Sequence, residues 1–459
     1  MSIESAQESL AYHALSPCGR IGHKVTVIEK KRAVTSPQHQ RGVRMPPNLT
    51  KILFHWGLKD KLRAISVKSE AIHIVLDDTG ELLGTQLWDE EILRETRGEY
   101  LFGHLSDLVT LLFEEAIRLG ANFHFGTTTL SIDPVQGKVI TDVRGILQAD
   151  VIIGADGISG LTRRVLLGEQ HAQSGNGTGS EPADRSSMWM YSAMFPKQVV
   201  LNDRELNALY RQEHTTLFVW LGNGRSAVGY PVGGTAEFAI CAYGPYDAGS
   251  SPADGFKEKF KGTEPRFRNL LPHLAGSLRR QPVIESEPLE DWVSQKGRLV
   301  LVGTGAHPIP PGSIQESAMS VEDGAVLARL FSHLLIRAQI NQFLWAFQDI
   351  RQRRCAAATE SETHIMYYTC MPKGADQEAR DAGLRAKKAA GVEVLQAGDD
   401  QEETPEWREV KEIFGYDAED EADNWWVGWG SLKFKLESVE SGGPGAIDLG
   451  GIQVKQTVN

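Results

Sequence analysis

Apolar positions along this chain follow two rhythms, and the switches between them mark its architecture. Residues 23–30 form a short β-branched run closing on an acid, the pattern of a buried parallel strand. Residues 46–57 carry apolar side chains at helical spacing, with prolines at the start and a glycine as the stop. Residues 106–120 repeat that pattern and predict a helix capped by Ser106 and closed by Gly120. Residues 122–131 read as strand and turn, and 139–153 as two more strands leading into Gly154-Ala-Asp-Gly157. Strands alternating with helices predict a doubly wound α/β core.

The rhythm then changes. Residues 168–187 are rich in Gly, Ser, Asn and Gln and read as a flexible surface loop. Beyond it, 188–195, 216–220, 225–232 and 237–243 read as successive strands without long helices, a separate and mainly antiparallel layer. The α/β pattern returns at 298–303, and helical spacing runs from 321 to about 371. The division predicted is 1–187 for the first part of the core and 188–290 for an inserted sheet. Residues 291–371 follow as the second part of the core, 372–440 as a helical region and 441–459 as a loose tail.

Composition narrows the classes. The chain has 459 residues, enough for two or three domains or one large composite. Its net charge of −12, with no local basic patch, argues against a nucleic-acid surface. Cys18, Cys241, Cys355 and Cys370 lie far apart with no C-x-x-C, which predicts reduced thiols and no metal site. No apolar run nears the roughly 18 residues that span a bilayer. The acidic start lacks the features of a signal peptide, so a cytoplasmic location is expected. Acids at 417–423 beside Trp425, Trp426 and Trp429 read as a solvated helix face whose aromatics pack on the core, or as a docking surface.

Three segments carry candidate chemistry. Glu29 ends its strand where a dinucleotide fold places an acid for ribose hydroxyls. The Gly-x-Gly-x-x-Gly turn expected upstream is missing; only Gly19 and Gly22 precede Glu29. Either the start of the chain is truncated or misassembled, or a cofactor pyrophosphate is held in another way. Second, a buried strand feeds the turn holding Asp156 and Gly157, with Arg163 further on, and Asp156 either serves a cofactor or caps the following turn. Third, residues 297–312 combine a buried strand, a Gly-rich turn at Gly303-Thr304-Gly305 and a loop stiffened by Pro308, Pro310 and Pro311. Gly312 then leads into a helix expected to begin near Ser313, its positive end aimed at something anionic and flat.

Residues 303–308 resemble the Gly-Asp-Ala-Ala-His-Pro segment of the class A FAD-dependent aromatic hydroxylases, the monooxygenases that include salicylate hydroxylase. Thr304 stands at the Asp. Residues 42–48 are similar to that family's Gly-Ile-Gln-x-Pro-Pro-Asn, and His104-Leu105-Ser-Asp-Leu108 to its His-Arg-x-Asp-Leu, with Leu105 for a cofactor-touching Arg. Tyr191-Ser192-Ala193 is similar to Tyr-Arg-Ala of fungal members, with Ser192 for a substrate-facing Arg, and Gly160 stands at a Ser. The resemblance runs from about residue 23 to about 429. It implies an FAD-binding core with an inserted substrate sheet and a helical C-terminal region. It also implies FAD reduced by NAD(P)H, with O2 supplying the oxygen that goes to an aromatic or polyketide-derived small molecule. Glu29, Gly42, Asp156, Gly157, Arg163, Gly303, Thr304, Pro311, Gly312 and Ser317 are the implied cofactor residues. Tyr230 is the implied catalytic residue, holding or deprotonating a phenol; a tyrosine packed in its strand is the plain alternative. Two other functions stay open at this point: a catalytically degenerate paralogue that binds a partner, and a flavoprotein of the same fold carrying out epoxidation or ring expansion.

Overall fold

The computed structural model describes residues 22–35, 39–88, 94–174, 187–233, 237–245, 251–274, 276–284, 289–295, 297–396 and 404–431. The glycine-poor start, most of the predicted 168–187 loop and the 441–459 tail lie outside the described residues. The described start of that loop is helical, because the helix Leu161–Ser174 carries on through its polar residues.

In chain order the strands of the first half are β1 (Thr26–Glu29), β2 (Gly42–Met45), β3 (Ser66–Lys68), β4 (Ala71–Leu76), β5 (Leu82–Leu87) and β6 (Leu101–His104). They continue as β7 (Asn122–Phe125), β8 (Thr129–Asp133), β9 (Lys138–Thr141), β10 (Gly145–Gln148) and β11 (Ile152–Gly154). The second half adds β12 (Met188–Pro196), β13 (Thr216–Leu221), β14 (Ser226–Val232), β15 (Glu237–Pro245), β16 (Arg279–Pro282) and β17 (Leu299–Leu301). The α/β core holds two parallel pairs, β1 with β7 and β11 with β17. Residues 139–153 make three strands rather than two, because Asp142-Val-Arg144 turns the chain between Thr141 and its partner Gly145.

The inserted sheet has seven strands in the order β16-β12-β15-β14-β13-β4-β5. Its last two members correct the predicted division, since β4 and β5 belong to the 1–187 segment. β4 runs parallel to β13, pairing Val75 with Trp220. Val75 shares a buried cluster with Phe218, Trp220, Phe238, Phe256 and Phe267, so the same apolar face that folds the insertion recruits the earlier strand.

The helix Pro47–His55 forms as its pattern predicts, closed by a bond from the Leu58 N–H to the Leu53 carbonyl at 2.9 Å. The helix Leu105–Arg118 starts without help from Ser106. β6 runs straight into it, and the Leu105 N–H is satisfied at 3.0 Å by the carbonyl of Arg41, just before β2, so no side-chain cap is needed. Leu105 itself is fully buried in the core. The helices Glu316–Phe331 and Ile340–Thr369 complete that core.

The acidic C-terminal helix is used internally. Asp417 caps Ala418–Trp425, Arg97 reaches Asp417 and Asp420, and Arg329 holds Asp423 through two bonds at 2.5 and 2.7 Å. Trp425 and Trp426 pack on Phe343, whereas Trp429 stays exposed. Cys241, Cys355 and Cys370 are buried free thiols. Among the described residues no helix is long and apolar enough to cross a membrane.

Candidate active site

Two clusters of predicted residues emerge, joined by the loop 303–312. The first lies where the parallel pair β11 and β17 ends. The Val302 N–H bonds to the Gly154 carbonyl at 3.0 Å, which sets the turn at 154–157 beside the turn at 303–305. The buried Arg163 guanidinium ties the two together by donating to the Gly305 carbonyl at 2.6 Å. Asp156 takes the capping role: its carboxylate accepts from the Thr162 N–H at 3.0 Å and from the Thr162 hydroxyl. Its position also explains Gly160, where a Cβ would come within 2.2 Å of Asp156 Oδ1. Glu29, at the tip of β1, accepts from the Lys31 N–H at 2.7 Å. Burial and Lys31 hold the Lys30 pKa below the ordinary lysine range, with Asp156 opposing them.

Behind the turn stands a carboxylate the sequence did not single out. Asp323 accepts from the Gly303 N–H at 2.8 Å, pairs with His307 Nε2 at 2.6 Å and receives Arg351 Nε at 2.8 Å. Burial alone would depress the imidazole, but Asp323 overrides it and lifts His307 to about 10, so the ring is a cation at neutral pH. Burial works to raise Asp323, and His307 and Arg351 together hold it below its usual range. Thr304 is buried in the middle of the turn and carries no charge.

The second cluster is a narrow cavity between that loop and the inserted sheet. Gly42, Val43 and Arg44 line it from β2, Ser192 from β12, Tyr230 from β14, Ile240 and Cys241 from β15, and Gly312, Ser313, Glu316 and Ser317 from the loop and helix. Gly42 is a close-approach residue, since a Cβ there would lie 2.5 Å from Ala239 Cβ and 2.7 Å from the Tyr230 hydroxyl. Gly312 has φ +76°, and a Cβ would meet Cys241 Sγ at 2.6 Å. The Pro311 carbonyl accepts from the Tyr243 hydroxyl at 2.7 Å, fixing the loop to β15.

The helix expected to begin near Ser313 begins at Glu316. Its forerunner N–H groups are already taken: Gly312 donates to Glu316 at 2.8 Å and Gln315 to Glu362 at 2.8 Å. Glu316 is in turn paired with Arg41 at 2.7 Å. The positive end of this helix is therefore met in advance by carboxylates. Tyr230 is buried and packs at a tilt against Phe102, with ring centroids 4.8 Å apart. Burial raises its pKa well above the ordinary tyrosine value, with Arg44 only partly offsetting this, so the phenol stays protonated and acts as a hydrogen-bond donor rather than a base.

A family model described as an FAD binding domain matches residues 18–362. The chain belongs to this family. It is a class A flavoprotein hydroxylase by descent, and FAD is its cofactor. It is 27% identical over 371 residues to the FAD-dependent monooxygenase OpS4 of Beauveria bassiana, covering 79% of this chain and 84% of that one. It is 25% identical over 320 residues to a 3-hydroxybenzoate 6-hydroxylase of Klebsiella oxytoca, covering 68% and 74%. Among solved structures, CtdE in complex with FAD and a substrate superposes with a TM-score of 0.73 at 18% identity, covering 93% of this chain and 97% of that one.

The residues present fit a flavin. Arg41 Nε and Ser313 Oγ are buried polar atoms without a hydrogen-bond partner, and both residues border the cavity on the side of the cofactor loop. A flat, acceptor-rich ring system is what such orphaned donors need. Of the residues implied by the sequence, Gly42, Gly312, Ser317 and Tyr230 share this cavity, while Asp156, Gly157, Arg163, Gly303 and Thr304 gather at the turns. Pro311 bridges the two, and Glu29 stands at the outer edge. Sequence reading missed Arg41, Arg44, Glu316, Asp323 and Glu362. A polar residue recurring on a helix buried all round, as Glu322 and Asp323 are, was the available signal.

Proposed function

We propose that this flavoenzyme hydroxylates an aromatic or polyketide-derived small molecule in secondary metabolism, with NAD(P)H as reductant and O2 as oxygen source, in the cytoplasm. The chain is an enzyme of the FAD-dependent monooxygenase type. The observation that carries the substrate reading is the cavity itself, where the cofactor loop at Gly312 meets Ser192 and Tyr230 of an antiparallel sheet. The names of the relatives, OpS4 and the 3-hydroxybenzoate hydroxylase, support the same class.

When bound, FAD supplies the redox and oxygen chemistry. This chain's residues supply position, dryness and charge. Arg163 and Asp323 hold the two cofactor turns in register. Gly42 and Gly312 let the sheet close directly on the loop, which excludes water from the cavity. The Tyr230 hydroxyl donates to a ring oxygen of the substrate and thereby orients the ring. Arg41, paired with Glu316, and Arg44, donating to the Gly312 carbonyl, hold the cofactor loop against β2.

The test is reconstitution of the purified chain with FAD, followed by NADH and NADPH oxidation, O2 uptake and product mass over a panel of phenols. Substrate-dependent nucleotide oxidation with a product heavier by one oxygen is expected. A folded chain that takes up no FAD, or that only makes hydrogen peroxide with every phenol, would overturn the proposal.

A further inference from the structure

The cavity between the cofactor loop and the inserted sheet is nearly filled from within. Its volume is about 10 Å³, room for about one water molecule, whereas pockets that bury small ligands run to roughly 300–1,000 Å³. One side chain occupies its loop end. Glu316, the first residue of the helix Glu316–Phe331, is buried, and its Oε2 accepts from the Gly312 N–H at 2.8 Å and from the Arg41 guanidinium at 2.7 Å. One donor comes from the loop and the other from the residue just before β2, so a single carboxylate oxygen draws the two walls together. Desolvation offsets most of the attraction within a buried pair of this kind, which leaves it open to exchange for another acceptor. The wall also keeps donors in reserve, because Arg41 Nε and Ser313 Oγ are buried without a hydrogen-bond partner. An acceptor-rich flat edge can use all four donors, where Glu316 uses two.

We propose that Glu316 is a built-in plug of the cofactor cavity: its carboxylate takes the donors that the flavin needs, and FAD seats only by displacing it from Arg41 and the Gly312 N–H. The proposal rests on the flavoenzyme reading given above and adds a cost to cofactor loading. Apparent affinity is reduced by the fraction of molecules in which the plug is out. Uptake also becomes a two-step event, in which the Arg41–Glu316 pair opens and the cofactor then takes its place.

The test uses the full chain freed of FAD, with FAD itself as the probe. Affinity is read by flavin fluorescence, uptake rate by stopped flow and stability by urea midpoint. Glu316→Gln keeps the shape and removes the charge, and Glu316→Ala removes the plug. Both are expected to bind FAD about 10-fold or more tightly than the unmutated protein, the scale of a charge-assisted hydrogen bond. Their FAD-free forms should lose stability, because Arg41 is left buried without its carboxylate. Opposite movement of the two readouts is the signature, since a merely structural glutamate would lose stability and FAD affinity together. In the unmutated chain the uptake rate should level off at high FAD, at the opening rate of the plug, and Glu316→Gln should raise that plateau. The proposal is overturned if neither variant binds FAD more tightly, or if uptake by the unmutated chain rises in proportion to FAD without a plateau. FAD uptake by Glu316→Gln but not by the unmutated chain would uphold the plug and sink only the activity proposed above. No uptake by any of the three would sink the flavoenzyme reading and this proposal with it.

Discussion

Replacing Gly42 with alanine tests how closely the inserted sheet is seated on the cofactor side. The added Cβ would lie 2.5 Å from Ala239 Cβ, 2.7 Å from the Tyr230 hydroxyl and 2.9 Å from Tyr230 Cε2. Ordinary contact begins near 3.4 Å, so one side must retreat by close to an ångström. Ala239 cannot retreat alone, because β15 is paired with β14 on one edge and β12 on the other. Overpacking of this kind costs about 1–3 kcal/mol, which leaves a domain of ordinary stability folded. The functional loss is expected to be larger. A shift of the Tyr230 hydroxyl by about 1 Å corresponds to roughly 100-fold in turnover. Ala239→Gly removes the hardest contact and by itself costs about 0.5–1 kcal/mol as a strand glycine. The double variant should therefore be more stable than the sum of the singles by about 0.5–3 kcal/mol. Urea midpoints of the four proteins at constant slope, with FAD titrations alongside, measure this. Additivity within about 0.5 kcal/mol would refute the packing described here.

Three further outcomes follow from the same geometry. Arg163→Ala removes the bond to the Gly305 carbonyl and should weaken FAD binding by about tenfold or more, since a hydrogen bond from a charged group is worth about 1.5–3 kcal/mol; unchanged affinity by flavin fluorescence titration would show that the tie does not organise the site. His307, lifted to about 10 from an unfolded value near 6.5, stabilises the fold fully below about pH 6.5, and that contribution is lost as pH rises toward 10. Denaturation midpoints should fall across this window, and His307→Gln should flatten the decline; an unchanged slope in the variant would count against a charged His307. Tyr230→Phe keeps the ring contact with Phe102 and loses only the hydroxyl, so FAD binding and stability should hold while turnover drops by about 100-fold; an equal fall in FAD affinity would place the hydroxyl on the cofactor instead.

What the sequence made legible, and what it hid, divides along a physical line. Elements driven by local periodicity were readable: the strands near 188–195 and 237–243 and the helix at Pro47–His55 formed where their patterns placed them. So were the turns at Gly303 and Gly157, because backbone geometry is written in short motifs. Pairing across distance left no such trace. β4 joins β13 from some 140 positions away, and nothing in 71–76 names its partner. Charge pairing was hidden for the same reason, and here the consequence reaches the chemistry. A helix aimed at a cofactor suggests dipole stabilisation, yet Glu316 and Glu362 occupy the N–H groups that precede the helix. A helix end is worth about 0.3–1 kcal/mol to an anion, less once it is answered by carboxylates. Arg44 is the charged group beside that end, donating to the Gly312 carbonyl at 2.5 Å, and unlike the dipole it can be removed by a single substitution. If anion binding in this cavity proves indifferent to Arg44 but sensitive to Glu362→Gln, the helix end would regain the role that its sequence pattern assigned to it.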